Sequence, residues 1–212
     1  ITGTFGVMMV LLVYSLKRDV RWFGLFIILP ALLSLGLAVT VLYTESAQLI
    51  PALKSYWLLI HVSAAVVSAG MFAIGGVLTI LQLLVDKEER SLAAGNSPSR
   101  LSAVTSRVPD SKALDLLSYK VHAFVFPLWT FTVVAGAIWA RSAWGRYWGW
   151  DPKETWAFVT WVGYAAYLHA RITVGWKGNR AAYIALIAFL TFIFNYFFVN
   201  FFFAGLHVYS GK

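Results

Sequence analysis

The residues best suited to chemistry in this sequence are four histidines and one aromatic loop. The loop reads Trp144-Gly145-Arg146-Tyr147-Trp148-Gly149-Trp150-Asp151-Pro152-Lys153-Glu154-Thr155-Trp156. Two readings are open. Trp and Tyr collect at membrane interfaces as an aromatic belt, but a belt needs only scattered rings, not four Trp and one Tyr within 13 residues. Glycines between the rings let backbone and aromatics approach a broad, flat, apolar ligand, and the density favours such a platform. Part of the loop has a plainer use: Asp151 N-caps a following helix, Pro152 suits its first position and Glu154 completes a capping box. Arg141, Arg146 and Lys153 can pair with ligand carboxylates or with lipid phosphates. The histidines His61, His122, His169 and His207 are candidate metal ligands, since histidines near a membrane are uncommon enough to suggest function. For each one, a packed, hydrogen-bonded role stands beside that reading. The sequence has no cysteine, so thiolate metal sites, disulfides and thiol catalysis are excluded within it.

What must position these residues is set by lipid. Hydrophobic residues make up 60% of the 212 and charged ones 12%, with a mean hydropathy of +0.73. A soluble domain of this length cannot hide so much apolar surface, so an all-α, polytopic transmembrane bundle of about six helices is expected. Apolar runs long enough to cross a ~30 Å core occur at Trp22–Thr44, Tyr56–Val85, Val121–Ala140, Thr155–Thr173 and Ala181–Phe203, with a remnant at Ile1–Leu16. The chain opens at Ile1 inside an apolar stretch with no initiator Met or basic n-region, which reads as a helix entered partway and not as a signal peptide. Residues 1–55 then form an N-terminal membrane unit, and 56–212 a second one carrying the loop. The polar stretch from Asp86 to Ser118, with Gly95, Asn96, Ser97 and Pro98, reads as a flexible linker. The formal charge of +8 reflects basic loops against an anionic bilayer surface, not a nucleic-acid partner. Of the 17 Lys and Arg, 12 fall in one set of alternate loops. The positive-inside rule places that set in the cytoplasm or its equivalent, and the tryptophan loop outside.

This topology sorts the histidines. His61, near the outer end of its helix, and His207, in the outward tail, flank the loop on one side. His122 and His169 lie toward the other. Two imidazoles converging from a helix end and a tail suit axial ligation of heme iron. An integral cytochrome b would instead carry paired histidines on facing helices, a pattern absent here.

The string from Trp144 to Trp156, with Thr160-Trp161 and Tyr167-Leu168-His169-Ala170-Arg171 after it, closely resembles the WWD motif of the CcsA/ResC family of cytochrome c assembly proteins. Gly136-Ala137-Ile138-Trp139-Ala140 before the loop, and Asn200 through Gly205-Leu206-His207 at the end, also match. The CcmC and CcmF proteins carry a WWD loop without the Asp-Pro-Lys-Glu-Thr-Trp run and fit less well. The resemblance implies non-covalent heme b held at the outer face, with His61 and His207 as iron ligands over Trp144, Arg146, Tyr147, Trp148, Trp150, Asp151 and Trp156. It implies that His169 is one ligand of an inner heme site, whose second ligand comes from more N-terminal helices, and that His122 is structural. It further implies a ResB-like membrane partner, an apocytochrome c with Cys-x-x-Cys-His as heme acceptor, and a bacterial plasma membrane or thylakoid location. Val208-Tyr209 stands where the family usually has Ser-Tyr. The function implied is heme presentation for covalent attachment, as part of a holocytochrome c synthase. The rival classes are a transporter of heme or another hydrophobic substrate, and a structural subunit of a membrane complex.

Overall fold

The structure, a computed structural model, describes residues 28–29, 31–33, 35–36, 39–40 and 53–207. The Ile1–Leu16 remnant, most of the Trp22–Thr44 span and the residues after His207 lie outside the described ones. From residue 53 onward the chain forms helices α1 (Tyr56–Ala93), α2 (Ser102–Thr105), α3 (Ser111–Trp144), α4 (Pro152–Ile172) and α5 (Asn179–Ile193). The last continues through a π-helical turn at Phe194–Phe198 into α6, Val199–Phe202. Among the described residues, three helices are long and apolar enough to cross a membrane: Tyr56–Ala93, Ser111–Trp144 and Asn179–Phe202. Helix α4, with 21 residues, is more polar, carrying Lys153, Glu154 and Arg171 near its ends. At 1.5 Å per residue it still extends about 31 Å. The chain is an all-α membrane bundle.

Side-chain pairs give the register. Along α1 and α3, His61 meets Thr132, Thr79 meets Ser118, and Glu89 bonds Ser111 at the start of α3. As one residue number rises the other falls, so the helices are antiparallel. The same holds for α4 and α5, where Thr191 bonds Thr160 and Trp156 packs on Phe194. Helix α4 also meets α3, through the Trp129 indole on the Ala157 carbonyl and the Trp161 indole on Thr130. Phe72, Val125, Trp129, Tyr164, Tyr167, Ala185, Ala188 and Phe192 form the main core. Lipid tails are as apolar as these side chains, so close packing and interhelical hydrogen bonds, not water exclusion, bring membrane helices together.

The stretch read as a linker is more helical than its composition suggests. Helix α1 runs eight residues beyond Val85, and α3 begins at Ser111. The intervening turn is fastened to α1: the Ser99 amide and hydroxyl donate to Glu88, and those of Ser111 donate to Glu89. Asp110 caps α3 by accepting from the Ala113 amide at 2.7 Å. Hydropathy marks the length that lies in lipid, whereas a helix stops only where its backbone is capped.

The bundle end away from the tryptophan loop is closed by polar contacts. Arg171 donates to both carboxylate oxygens of Asp115 at 2.7 and 2.9 Å, with its guanidinium over the Tyr119 ring. The Gly178 amide also donates to Asp115. Asn179 donates to Asp86 and accepts from Gln82, joining α5 to α1.

Candidate functional site

At the other end residues of α1, α3, α4 and α5 line a cavity of about 350 Å³, within the range that holds small-molecule and cofactor ligands. His61, Trp129, Thr132, Gly136, Tyr147, Trp148, Lys153, Asn195, Tyr196 and His207 are among its lining residues. Most of the wall is apolar, and few polar groups converge on it.

The two histidines are held by their Nδ1 atoms. His61 Nδ1 lies 3.0 Å from the Thr132 carbonyl oxygen. A carbonyl only accepts, so Nδ1 carries the proton and Nε2 keeps its lone pair. The close approach of α1 to α3 depends on Gly136, where a Cβ would come within 2.8 Å of the His61 ring. His207 Nδ1 lies 3.0 Å from Asp151 Oδ1, which again assigns the proton to Nδ1 and the lone pair to Nε2. Burial lowers the His207 pKa below its usual value, while the hydrogen bond and charge of Asp151 oppose that shift. Both rings lie against Trp139: His61 stacks on it at 6.0 Å between centroids, and His207 meets it edge-on at 5.8 Å.

The loop is built by its own carboxylates. Glu154 Oε2 accepts from the Gly149 and Asp151 amides, and Asp151 accepts from the Lys153 amide, forming the capping box that starts α4. The other Asp151 oxygen accepts from the Leu206 amide at 2.7 Å. One buried side chain thus caps a helix, anchors the C-terminal segment and holds His207.

The structure disperses the other residues read as site candidates. Tyr147 and Trp148 line the cavity, and Trp144 packs edge-on against His207 at 4.8 Å. Trp150 does not line it. Its backbone is left-handed, with φ 56°, and its ring is 66% exposed, against Trp148 and Phe158. Trp156 packs on Phe194 at 4.2 Å, against the π turn. Arg146 lies over Gly149, where any Cβ would overlap its guanidinium. Arg141 reaches the Gly145 carbonyl and Tyr147. Lys153 lines the cavity with its ammonium already engaged, donating to the Asn195 carbonyl and to Asn200 Oδ1, both at 2.9 Å. The π turn redirects backbone bonds at Asn195, and such turns recur at functional sites.

His169 is exposed near the far end of α4, about 27 Å along the helix from Asp151 by helical rise. His122 is fully buried between Thr79, Tyr164 and Tyr167, and its ring occupies the space a Cβ on Gly75 would take. These two histidines belong to different surroundings: one faces outward and the other fills the core. Reading the sequence missed Thr132 and Asn195, which act through a carbonyl and a backbone irregularity that residue type does not show, and quoted Trp139 in the flank before the loop without assigning it to the site. Trp139 had a signal, since it lies five residues before the loop.

The family model described as cytochrome c assembly protein matches residues 3–207. Three similar proteins bear the name cytochrome c biogenesis protein CcsA. The one from Guillardia theta is 44% identical over 174 residues, covering 78% of this chain and 58% of its own length. That from Prochlorococcus marinus is 43% identical over 199 residues, covering 85% and 63%. That from Trieres chinensis is 36% identical, covering 98% and 74%. The chain therefore spans about three fifths of the length of the first two relatives.

Proposed function

The chain belongs to the cytochrome c assembly protein family, of the CcsA/ResC type, and from that premise we propose that it holds heme between His61 and His207 and presents it for covalent attachment to apocytochrome c. The observation that carries this reading is the matched tethering, through Nδ1, of two imidazoles that line one cavity. Each is fixed through Nδ1, so each keeps an Nε2 lone pair. A ring nitrogen pinned by an oxygen acceptor is how proteins prepare the opposite nitrogen for a metal. Tyr147, Trp148 and the apolar wall suit a wide flat ligand. The donor set fits iron: His61 and His207 would hold heme through their Nε2 atoms.

The protein's contribution is positioning. Trp139 packs on both rings and Trp144 on that of His207, and Asp151 ties His207 to the start of α4. Holding reactants in place lowers a barrier by several kcal/mol. Attachment joins each apocytochrome thiol to a vinyl group, sulfur to one carbon and hydrogen to its neighbour, with no net electron transfer. The chain has no cysteine, so both sulfurs come from the acceptor's Cys-x-x-Cys-His. A ResB-like partner, a second heme ligated by His169 at the opposite face, and placement of the tryptophan loop outside the plasma or thylakoid membrane complete the proposal.

The test expresses the full-length protein with its partner and an apocytochrome. The double substitution His61→Ala/His207→Ala is expected to abolish maturation, and added imidazole to restore part of it in either single variant. Normal maturation by the double variant would overturn the proposal. Bound heme with no apocytochrome binding would favour transport instead. Sidedness is read by labelling single cysteines introduced into this sequence, which has none of its own. Ser142→Cys should react with an impermeant thiol reagent in intact cells, and Ser97→Cys only after the membrane is opened.

A further inference from the structure

The two histidines are not held alike. His61 Nδ1 meets a neutral backbone carbonyl, that of Thr132. His207 Nδ1 meets a carboxylate, and that carboxylate is buried, with the Asp151 side chain 4% exposed. Asp151 also grips the backbone next to the ring, through the Leu206 amide on Oδ2, and is itself locked by the capping box of α4. Gly205 belongs to the same arrangement, since a Cβ there would lie 2.5 Å from Asp151 Oδ2. Carboxylate, peptide and ring thus form one rigid unit, carried by the start of α4 and not by the C-terminal segment alone.

We propose that Asp151 is a positioning residue for the ligand His207, fixing its tautomer and orientation and making it a stronger electron donor to heme iron than His61. The inference rests on the reading of His61 and His207 as heme ligands. It gives the motif's aspartate a task beyond helix capping. A carboxylate behind a ligating imidazole raises its basicity, and losing such a partner typically weakens metal binding about 10–100-fold. A stronger axial donor favours the ferric state, so losing the carboxylate moves the heme midpoint potential upward.

The test uses the full chain with its partner, wild type against Asp151→Asn and Gly205→Ala. Asn caps a helix as well as Asp, so Asp151→Asn removes the charge and keeps one oxygen for the cap, while its NH2 takes the place of the oxygen that accepts from the Leu206 amide. Gly205→Ala leaves Asp151 intact and crowds the peptide it holds. Heme loss to a scavenging apoprotein is expected to be about 10-fold faster or more in each variant. The midpoint potential of the heme retained by Asp151→Asn is expected to rise. In heme-free protein labelled with 15N-histidine, the Nδ1–H tautomer of His207 is expected to dominate in the wild type and to give way to a mixture in Asp151→Asn. A purely structural cap would move neither potential nor tautomer. Wild-type heme retention and potential in Asp151→Asn, with Gly205→Ala also unchanged, would overturn the proposal and leave bis-histidine binding standing. A wild type that takes up no heme would overturn both.

Discussion

The two ends of this bundle use polar residues in opposite ways. At the closed end, Asp115, Arg171, Asn179, Asp86 and Gln82 satisfy one another, and their bonds run directly between α1, α3, α4 and α5. At the cavity end, polar side chains are fixed from behind. Thr132 and Asp151 take the Nδ1 protons of the histidines and leave the other ring nitrogens unspent. Lys153 and Glu154 are used up in holding backbone. A network that completes itself stabilises; one that stops a bond short is prepared for a ligand. Substitutions at the first should therefore cost stability and leave ligand binding alone, and substitutions at the second should cost ligand binding more than stability.

The largest stability effect is expected for Asp115→Ala. It strands the Arg171 guanidinium, whose side chain is 6% exposed, and breaking a buried pair from one side costs about 3–5 kcal/mol. Thermal unfolding in nanodiscs should show that loss, while heme loaded at the cavity end keeps its wild-type spectrum. A changed spectrum would mean that the ends are coupled.

His122→Ala comes next. It empties a fully buried site, and the penalty should be about 2 kcal/mol, at the low end for large-to-small changes. Heme occupancy should not move. If this variant loses heme while His169→Ala does not, the structural role assigned to His122 fails.

Gly136→Ala sharpens the comparison from the cavity side. Its methyl would press on the His61 ring at 2.8 Å, an overpacking that costs about 1–3 kcal/mol. Its stability cost should be smaller than that of Asp115→Ala, yet its loss of heme larger. Equal heme retention in the two variants would erase the distinction between the ends.

The smallest effect is a pH dependence of the heme-free protein. Burial holds His207 below its usual pKa of 6.5, so the unfolded chain takes up the proton first. The contribution of His207 is present above that value and is lost as pH falls through the lowered one. Asp151 opposes the shift, so Asp151→Asn should enlarge the acid destabilisation seen by thermal unfolding. Its reduction would contradict the assigned hydrogen bond.

Much of this architecture is legible in residue types. Apolar run lengths locate α1, α3 and the α5–α6 segment because lipid demands them, and Asp151-Pro152-Lys153-Glu154 announces the start of α4 because capping is local chemistry. His61 and His207 are paired by counting spans. Aromatic content alone does not tell which tryptophans face the cavity. Trp150 is turned outward by a left-handed backbone, and Trp156 is claimed by Phe194. The carbonyl behind His61 and the Asn195 carbonyl in the π turn that accepts from Lys153 are backbone groups, with no residue type to mark them.

The most direct test of the central claim is the electron paramagnetic resonance spectrum of ferric heme loaded onto protein carrying His169→Ala, which removes the proposed inner site, with the outer histidines wild type or as His61→Ala/His207→Ala. The account predicts a low-spin signal from two axial imidazoles with the outer histidines wild type, lost on their double substitution while the helical content is retained. A high-spin signal with the outer histidines wild type, or a low-spin signal that survives the double substitution, would contradict it.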